Sequence, residues 1–225
     1  MNLSSQEQLY IFSFIISFSV TFFIVPWLIP RLNSRKIVGI DMNKKDKPEV
    51  PEIGGLAVVL GVFLGFYSQI VAYDIYAIGS QPTDFLLASI MTLMGIAFIG
   101  IIDDLLGMRQ RVKAILPFVI ALPLGAFAAK SMFIPFIGHI DFGYSMLFLV
   151  PFGITCAANS MNMLEGFNGL GSGLGIIITS TLIILSIING KNEGLFLLIP
   201  LLGSLLAFIY YNKYPSKIFP GDTLT

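Results

Sequence analysis

Seven stretches of this chain contain no Asp, Glu, Lys or Arg: 10–29, 54–73, 85–102, 114–129, 142–158, 170–188 and 195–211. About 20 residues of helix, at 1.5 Å per residue, cross a ~30 Å hydrocarbon layer. Inside lipid only a helix or a closed barrel satisfies every backbone group, and runs of this length are helical spans. The rest of the composition agrees. Only 12% of the 225 residues are charged and 56% are apolar, against roughly 25% charged in soluble domains, and mean hydropathy is +0.86. The expected fold is an all-α, multi-pass membrane helical bundle. It has seven visible spans and the start of an eighth after them, in one transmembrane domain over 1–225.

The polar connections set the orientation. Segments 31–53, 103–113, 159–169 and 212–222 fall on one side of a seven-span chain and hold eleven of its thirteen Lys and Arg; Lys130 and Lys191 fall on the other. By the positive-inside rule the first side is cytoplasmic and the N-terminus is outside. A cleavable signal is not expected, because the basic residues follow the first run and no small-residue cleavage site appears. Pro26 and Pro30 are expected to end or kink the first span, and Pro117 and Pro123 to kink the fourth. Cys156 lies in an apolar run and His139 on the external side, which leaves no cysteine framework or histidine on the cytoplasmic face.

One island breaks the apolar pattern. Residues 159–170, NSMNMLEGFNGL, place Asn159, Asn162, Glu165 and Asn168 between two spans. Interhelical amide hydrogen bonds, worth ~0.6 kcal/mol on average in membranes, account for one such residue rather than for the group. Asn159 and Asn162 share a helical face, and Gly166 and Gly169 allow a tight turn and close approach of a ligand.

Three other groups share that side. Asp103 and Asp104 end the third span, where carboxylates oppose the helix macrodipole at ~0.3–1 kcal/mol each and call for a cation. Lys113 opens the fourth span as a point charge suited to phosphate; Arg109 and Arg111 beside it read as membrane-side anchors. Asp222, in Gly-Asp-Thr, is either a helix N-cap or one more acid of the set. With no His or Cys present, zinc sites and thiol or imidazole nucleophiles are excluded. Carboxylate and amide oxygens with a lysine suit Mg²⁺ and a phosphorylated substrate. The chemistry is that of a phosphate- or diphosphate-handling membrane enzyme acting from the cytoplasmic face.

At these residues the chain resembles the polyprenyl-phosphate N-acetylhexosamine-1-phosphate transferases. Four blocks match in order: 51–55 (PEIGG), 102–117 (IDDLLGMRQRVKAILP), 159–170, and 219–223 (FPGDT). With the spans between them they cover nearly the whole chain. The R-x-R-x-K with its following Leu-Pro, the Asn-Gly-Leu ending and the Tyr-Pro-Ser before Gly-Asp-Thr are similar to the dolichyl-phosphate branch of eukaryotes and archaea. That resemblance implies transfer of N-acetylglucosamine-1-phosphate from UDP-N-acetylglucosamine to a polyprenyl or dolichyl phosphate with release of UMP, an initiating step of lipid-linked oligosaccharide synthesis for glycosylation. It implies Mg²⁺, or Mn²⁺ in its place, held by Asp222 and Asn162. Lys113 touches the diphosphate, and Asp103 and Asp104 lie beside the lipid phosphate, one orienting or deprotonating it. Asn168, the Gly166 backbone and a stacked Phe219 take the uridine, and Glu52, Asn159 and Glu165 complete the substrate-binding set. The implied partners are a UDP-sugar, the polyprenyl phosphate, the bilayer and a second copy in a homodimer, with no nucleic acid. The implied location is the plasma membrane of a prokaryote or the endoplasmic reticulum of a eukaryote.

The pattern departs from the family in three places. Gly107 stands where the eukaryotic dolichyl enzymes have Asn. Glu165 stands where they have a small residue and bacterial relatives an Asp, so it is a site residue or merely solvated. The family has about ten spans and a later His- and Arg-rich loop, and 1–225 is C-terminally incomplete against it. A catalytically inactive membrane subunit therefore stays open as an alternative. A secondary transporter fits less well, because the acids cluster at span ends rather than at the midplane of repeated halves.

Overall fold

The protein is described by a computed structural model covering residues 4–42, 44–76, 83–128, 131–134, 136–190 and 192–224. Seven helices follow in order: α1 (Ser5–Ser34), α2 (Gly55–Tyr76), α3 (Asp84–Leu106), α4 (Gln110–Phe127), α5 (Met146–Leu164), α6 (Leu170–Ile188) and α7 (Leu195–Asn212). All seven are long and apolar enough to cross a membrane. The chain is a multi-pass helical membrane protein, as its apolar runs require. Lys130 and Lys191, the two basic residues expected on the far side, lie outside the described residues, as do Ala129 at the expected end of the fourth span and Thr225.

Helix α1 begins in a capping box: Ser4 Oγ accepts from Glu7 N at 3.3 Å, and Glu7 Oε2 accepts from Ser4 N at 2.7 Å. It does not end at its prolines. Pro26 and Pro30 lie inside an unbroken 30-residue helix, and part of the reason is tertiary. Pro26 has no N–H for the Phe22 carbonyl, and Tyr211 Oη of α7 donates to that oxygen at 3.1 Å instead. A neighbouring helix thus satisfies the group that proline released.

Helices α1, α2 and α7 pack as the tightest unit, α3, α4 and α5 follow as an antiparallel row, and α6 lies against α7. The α1–α2–α7 contact is close because its seam is small. Ser13, Ser17 and Thr21 recur every four residues on α1 and are fully buried. They face Gly61 and Gly65 of α2 and Gly203 of α7, where a Cβ would meet Ser17 O at 2.8 Å, Ser13 O at 2.9 Å and Phe14 O at 2.8 Å respectively. Small-residue seams of this kind let helix backbones approach in lipid. Phe23, Met91, Phe98 and Ile184 point outward, the ordinary placement for side chains solvated by acyl chains.

Two short antiparallel hairpins were not foreshadowed by the apolar pattern: β1 (Val38–Ile40) with β2 (Glu49–Pro51), and β3 (Ser131–Ile134) with β4 (Gly138–Asp141). The first folds the long basic segment after α1 back over the bundle end that carries the polar blocks. The residues after α7 continue without helix through Leu224. Asp222 lies in a turn there and caps no helix among the described residues.

Candidate active site

The four polar blocks converge at one end of the bundle, and the loop 219–223 is where they meet. Phe219 N donates to Pro51 O at 2.7 Å, while Gly54 N and Gly55 N donate to Phe219 O and Pro220 O at 2.8 Å each. The start of α2 and this loop therefore satisfy each other's backbone, including N–H groups a helix start leaves without partners. From the other side Asp104 grips the loop. Its Oδ1 accepts from Asp222 N at 2.8 Å, and its Oδ2 from Thr223 N at 3.2 Å and Thr223 Oγ1 at 2.7 Å. Gly221 permits this approach: its φ is +68°, and a Cβ there would stand 2.6 Å from Asp104 Oδ2.

Asp103 sits in the last turn of α3 and Lys113 in the first turn of α4, each at the end of its helix where the macrodipole disfavours it. They offset one another. Lys113 Nζ lies 2.8 Å from Asp103 Oδ2 and 2.6 Å from Asp222 Oδ2, and Asp103 Oδ1 accepts from Met108 N at 2.6 Å. Asn162, near the end of α5, donates from Nδ2 to Asp222 Oδ1 at 2.9 Å. Burial pushes the Asp222 carboxyl above the usual carboxylate range and the Asp103 carboxyl adds to this, with Lys113 opposing.

A cavity of about 440 Å³ opens beside the cluster. Of the eleven expected site residues, Glu52, Asp104, Asn162, Glu165, Gly166, Asn168, Phe219 and Asp222 line it. Lys113 and Asn159 line a small adjoining hollow of about 30 Å³, which shares Asn162 and Asp222 with the larger cavity. Asn159 is turned to backbone: Nδ2 donates to Thr155 O at 2.8 Å and to Ala114 O at 3.4 Å, which ties α5 to α4. Glu52 is half-buried, and burial, with the charges of Asp104 and Asp222, raises its pKa.

Glu165 is not a solvated surface acid. Its Oε2 is buried with no hydrogen bond, against Gly171, where a Cβ would collide with it. Burial pushes its pKa to about 7, opposed by the Gly171 N–H. Two residues of the site carried little signal in sequence. Thr223 reads as an ordinary turn residue until its hydroxyl is seen on Asp104. Asp41 is one acid in a charged loop, yet it is 2% exposed and accepts from Asn168 Nδ2 at 3.1 Å.

Does this arrangement suit Mg²⁺? Among the described residues no three Asp, Glu, His or Cys side chains gather closely enough to hold a metal alone. Two carboxylates, Asp103 and Asp222, already converge on one cation, the Lys113 ammonium. Mg²⁺ characteristically takes one or two carboxylates and completes its shell with water and substrate phosphate. The donor set fits that habit. Asn162 presents its nitrogen rather than its oxygen to Asp222, and in this state it orients the carboxylate.

The sequence profile of glycosyl transferase family 4 matches residues 86–225, from the start of α3 through the loop at 219–223. The chain belongs to glycosyl transferase family 4. A protein of Saccharolobus solfataricus is 38% identical over 205 residues, covering 88% of this chain and 62% of that protein. Another from Sulfolobus acidocaldarius is 31% identical over 218 residues, covering 94% and 66%. Both carry the provisional name UDP-N-acetylglucosamine–dolichyl-phosphate N-acetylglucosaminephosphotransferase. A Clostridium perfringens phospho-N-acetylmuramoyl-pentapeptide-transferase is 28% identical over 228 residues, covering 95% and 69%. The chain spans less than two thirds of the length of the two archaeal relatives. Asp103, Asp104, Lys113, the island and Asp222 all lie within the residues that the family profile matches.

Proposed function

We propose that this protein transfers N-acetylglucosamine-1-phosphate from UDP-N-acetylglucosamine to a dolichyl-type polyprenyl phosphate, releasing UMP on the cytoplasmic face. One observation carries the reading: Lys113 bridges Asp103 and Asp222 at the edge of a polar cavity that also holds Asn168 and Phe219. Charge for a diphosphate and an aromatic–amide edge for a base thus stand at one bundle end. The family and the names of the archaeal relatives support the donor and acceptor classes. The eleven Lys and Arg on the site's side support the cytoplasmic face.

In the reaction an oxygen of the lipid phosphate attacks the sugar-bearing phosphorus. A new P–O bond forms, the bond to UMP breaks, and UMP leaves with that electron pair. Lys113 holds the diphosphate oxygens by charge, and Asp103, anchored by Met108 N, fixes the ammonium. Asp104 keeps the 219–223 loop in place, so Asp222 and Phe219 are positioned together. Asp222, supported by Asn162, would hold Mg²⁺ with phosphate oxygens. That ion supplies neutralisation of charge on the transferring phosphate.

The test is UMP release from UDP-N-acetylglucosamine by the purified protein with dolichyl phosphate, with and without Mg²⁺. The reading expects lipid- and Mg²⁺-dependent UMP, and a loss of ~10²-fold or more in Asp222→Ala. Full activity in that variant sinks the metal assignment, and no UMP under any condition sinks the transferase.

A further inference from the structure

An asparagine amide can face a ligand with either end. Nδ2 donates and Oδ1 accepts, and the end that faces the cavity decides which base edge is complemented. In this protein a neighbouring carboxylate makes that choice. Asp41 follows strand β1 and is buried beside the island. Its Oδ2 accepts from Asn168 Nδ2 at 3.1 Å and lies 2.9 Å from Lys44 Nζ. The Lys44 ammonium is itself 5.3 Å over the Tyr214 ring, just past α7. A carboxylate held by an ammonium has no proton to donate, so it accepts only the NH₂ end of the amide. Asn168 Oδ1 is thereby turned away from Asp41. Asp41, Asn168 and Phe219 all line the cavity.

We propose that Asp41 is a positioning residue that locks Asn168 with its carbonyl oxygen presented to the nucleobase, and so selects uridine over cytidine nucleotides. The proposal rests on the nucleotide-sugar reading above. Uracil offers an N3–H donor to a fixed acceptor, whereas cytosine has a lone pair at N3. Two acceptors facing each other at a half-buried contact leave both poorly paired, which is how a polar pocket rejects a ligand of nearly the same shape. The charged hairpin β1–β2 is thus a wall of the base pocket as well as a membrane-side loop.

The test is equilibrium binding of UMP and of CMP to the purified protein and two variants, with thermal melts on each sample. The natural protein is expected to prefer UMP by about tenfold or more. In Asp41→Asn the new amide can donate to Asn168 Oδ1, the Asn168 amide can turn, and the UMP:CMP ratio falls toward one. In Asp41→Asn combined with Asn168→Asp, the carboxylate at position 168 can only accept from either oxygen, and the preference for UMP returns. A purely structural role for Asp41 weakens both nucleotides alike and leaves the ratio unchanged. Three outcomes overturn the proposal. An unchanged ratio in Asp41→Asn, or no recovery in the combined variant, removes the role of Asp41 alone. Failure of the natural protein to bind either nucleotide removes the nucleotide-sugar reading and this proposal with it.

Discussion

Lys113 Nζ stands 2.6 Å from Asp222 Oδ2, joining the first turn of α4 to a loop beyond α7. Both groups are poorly placed on their own: a cation at a helix start and a half-buried acid beside another acid. Together with Asp103 they make one cluster at the bundle end in which two carboxylates share a single ammonium.

Replacing Lys113 by Met keeps the side-chain stem and removes the charge. UMP release is expected to fall ~10²–10³-fold, the usual cost of losing one electrostatic group aimed at a transferring phosphate. Lys113→Arg is expected to recover little, because a planar fork does not substitute for a compact ammonium between two carboxylates. Steady-state assays at saturating UDP-N-acetylglucosamine decide this. A Lys113→Met enzyme within tenfold of the natural one would remove Lys113 from the reaction.

Asp104 acts through the loop it grips. Thr223→Val removes one of three donors to Asp104 and is expected to cost ~1 kcal/mol. Asp104→Ala strips the partner from two backbone amides, Asp222 N and Thr223 N, at ~1–3 kcal/mol for each buried group left unpaired. Melting midpoints in detergent should therefore order natural protein, Thr223→Val, Asp104→Ala. Equal midpoints for the two variants would mean that the amide contacts are immaterial.

Glu165 imposes a pH dependence whose sign follows from its environment. Its folded pKa of about 7 lies above the value of an exposed glutamate, ~4.3. The folded state therefore binds the proton more tightly than the unfolded chain. Stability from this group is complete below ~4.3 and is lost as pH rises through about 7. The melting midpoint is expected to fall as pH rises from ~4.3 to about 7, and Glu165→Gln should flatten that slope. A slope identical in the variant would assign it to other groups.

The Tyr211 hydroxyl and Pro26 form a testable pair. Tyr211→Phe leaves the Phe22 carbonyl without the donor it now has, at ~1 kcal/mol. Pro26→Ala returns a helical N–H to the same oxygen, and in that background Tyr211→Phe should cost much less. A double-mutant cycle measures the coupling; strictly additive costs would show that the hydroxyl and the proline do not share that carbonyl.

The spans were legible because lipid leaves few choices. The run 170–188 became α6 with the same bounds, and 195–211 became α7 within a residue, since an uncharged run in hydrocarbon has to close its own backbone bonds. The hairpin β1–β2 was not legible, because it rests on three pairs of backbone contacts in a charged segment with no alternation of apolar residues. Asp103, Asp104, Lys113 and Asp222 were each suspect in sequence for a local reason, an unfavourable helix end or an acid beside a span. Asp41 had no such mark.

By itself the sequence determined that the chain crosses a membrane repeatedly, which end of the spans carries the polar groups, and which chemistry those groups suit. These are properties of composition and order along the chain, and the bilayer imposes them on each segment separately. Only the tertiary structure decided that loop 219–223 is the hub, that Asn159 is spent on the α4–α5 contact while Asn168 is held by Asp41, and that Glu165 Oε2 is buried against Gly171. Those outcomes depend on which groups end up within about 3 Å of one another, the range of a hydrogen bond. That is settled by how close the small-residue seam lets α1, α2 and α7 approach, and by where the loops they carry then fall.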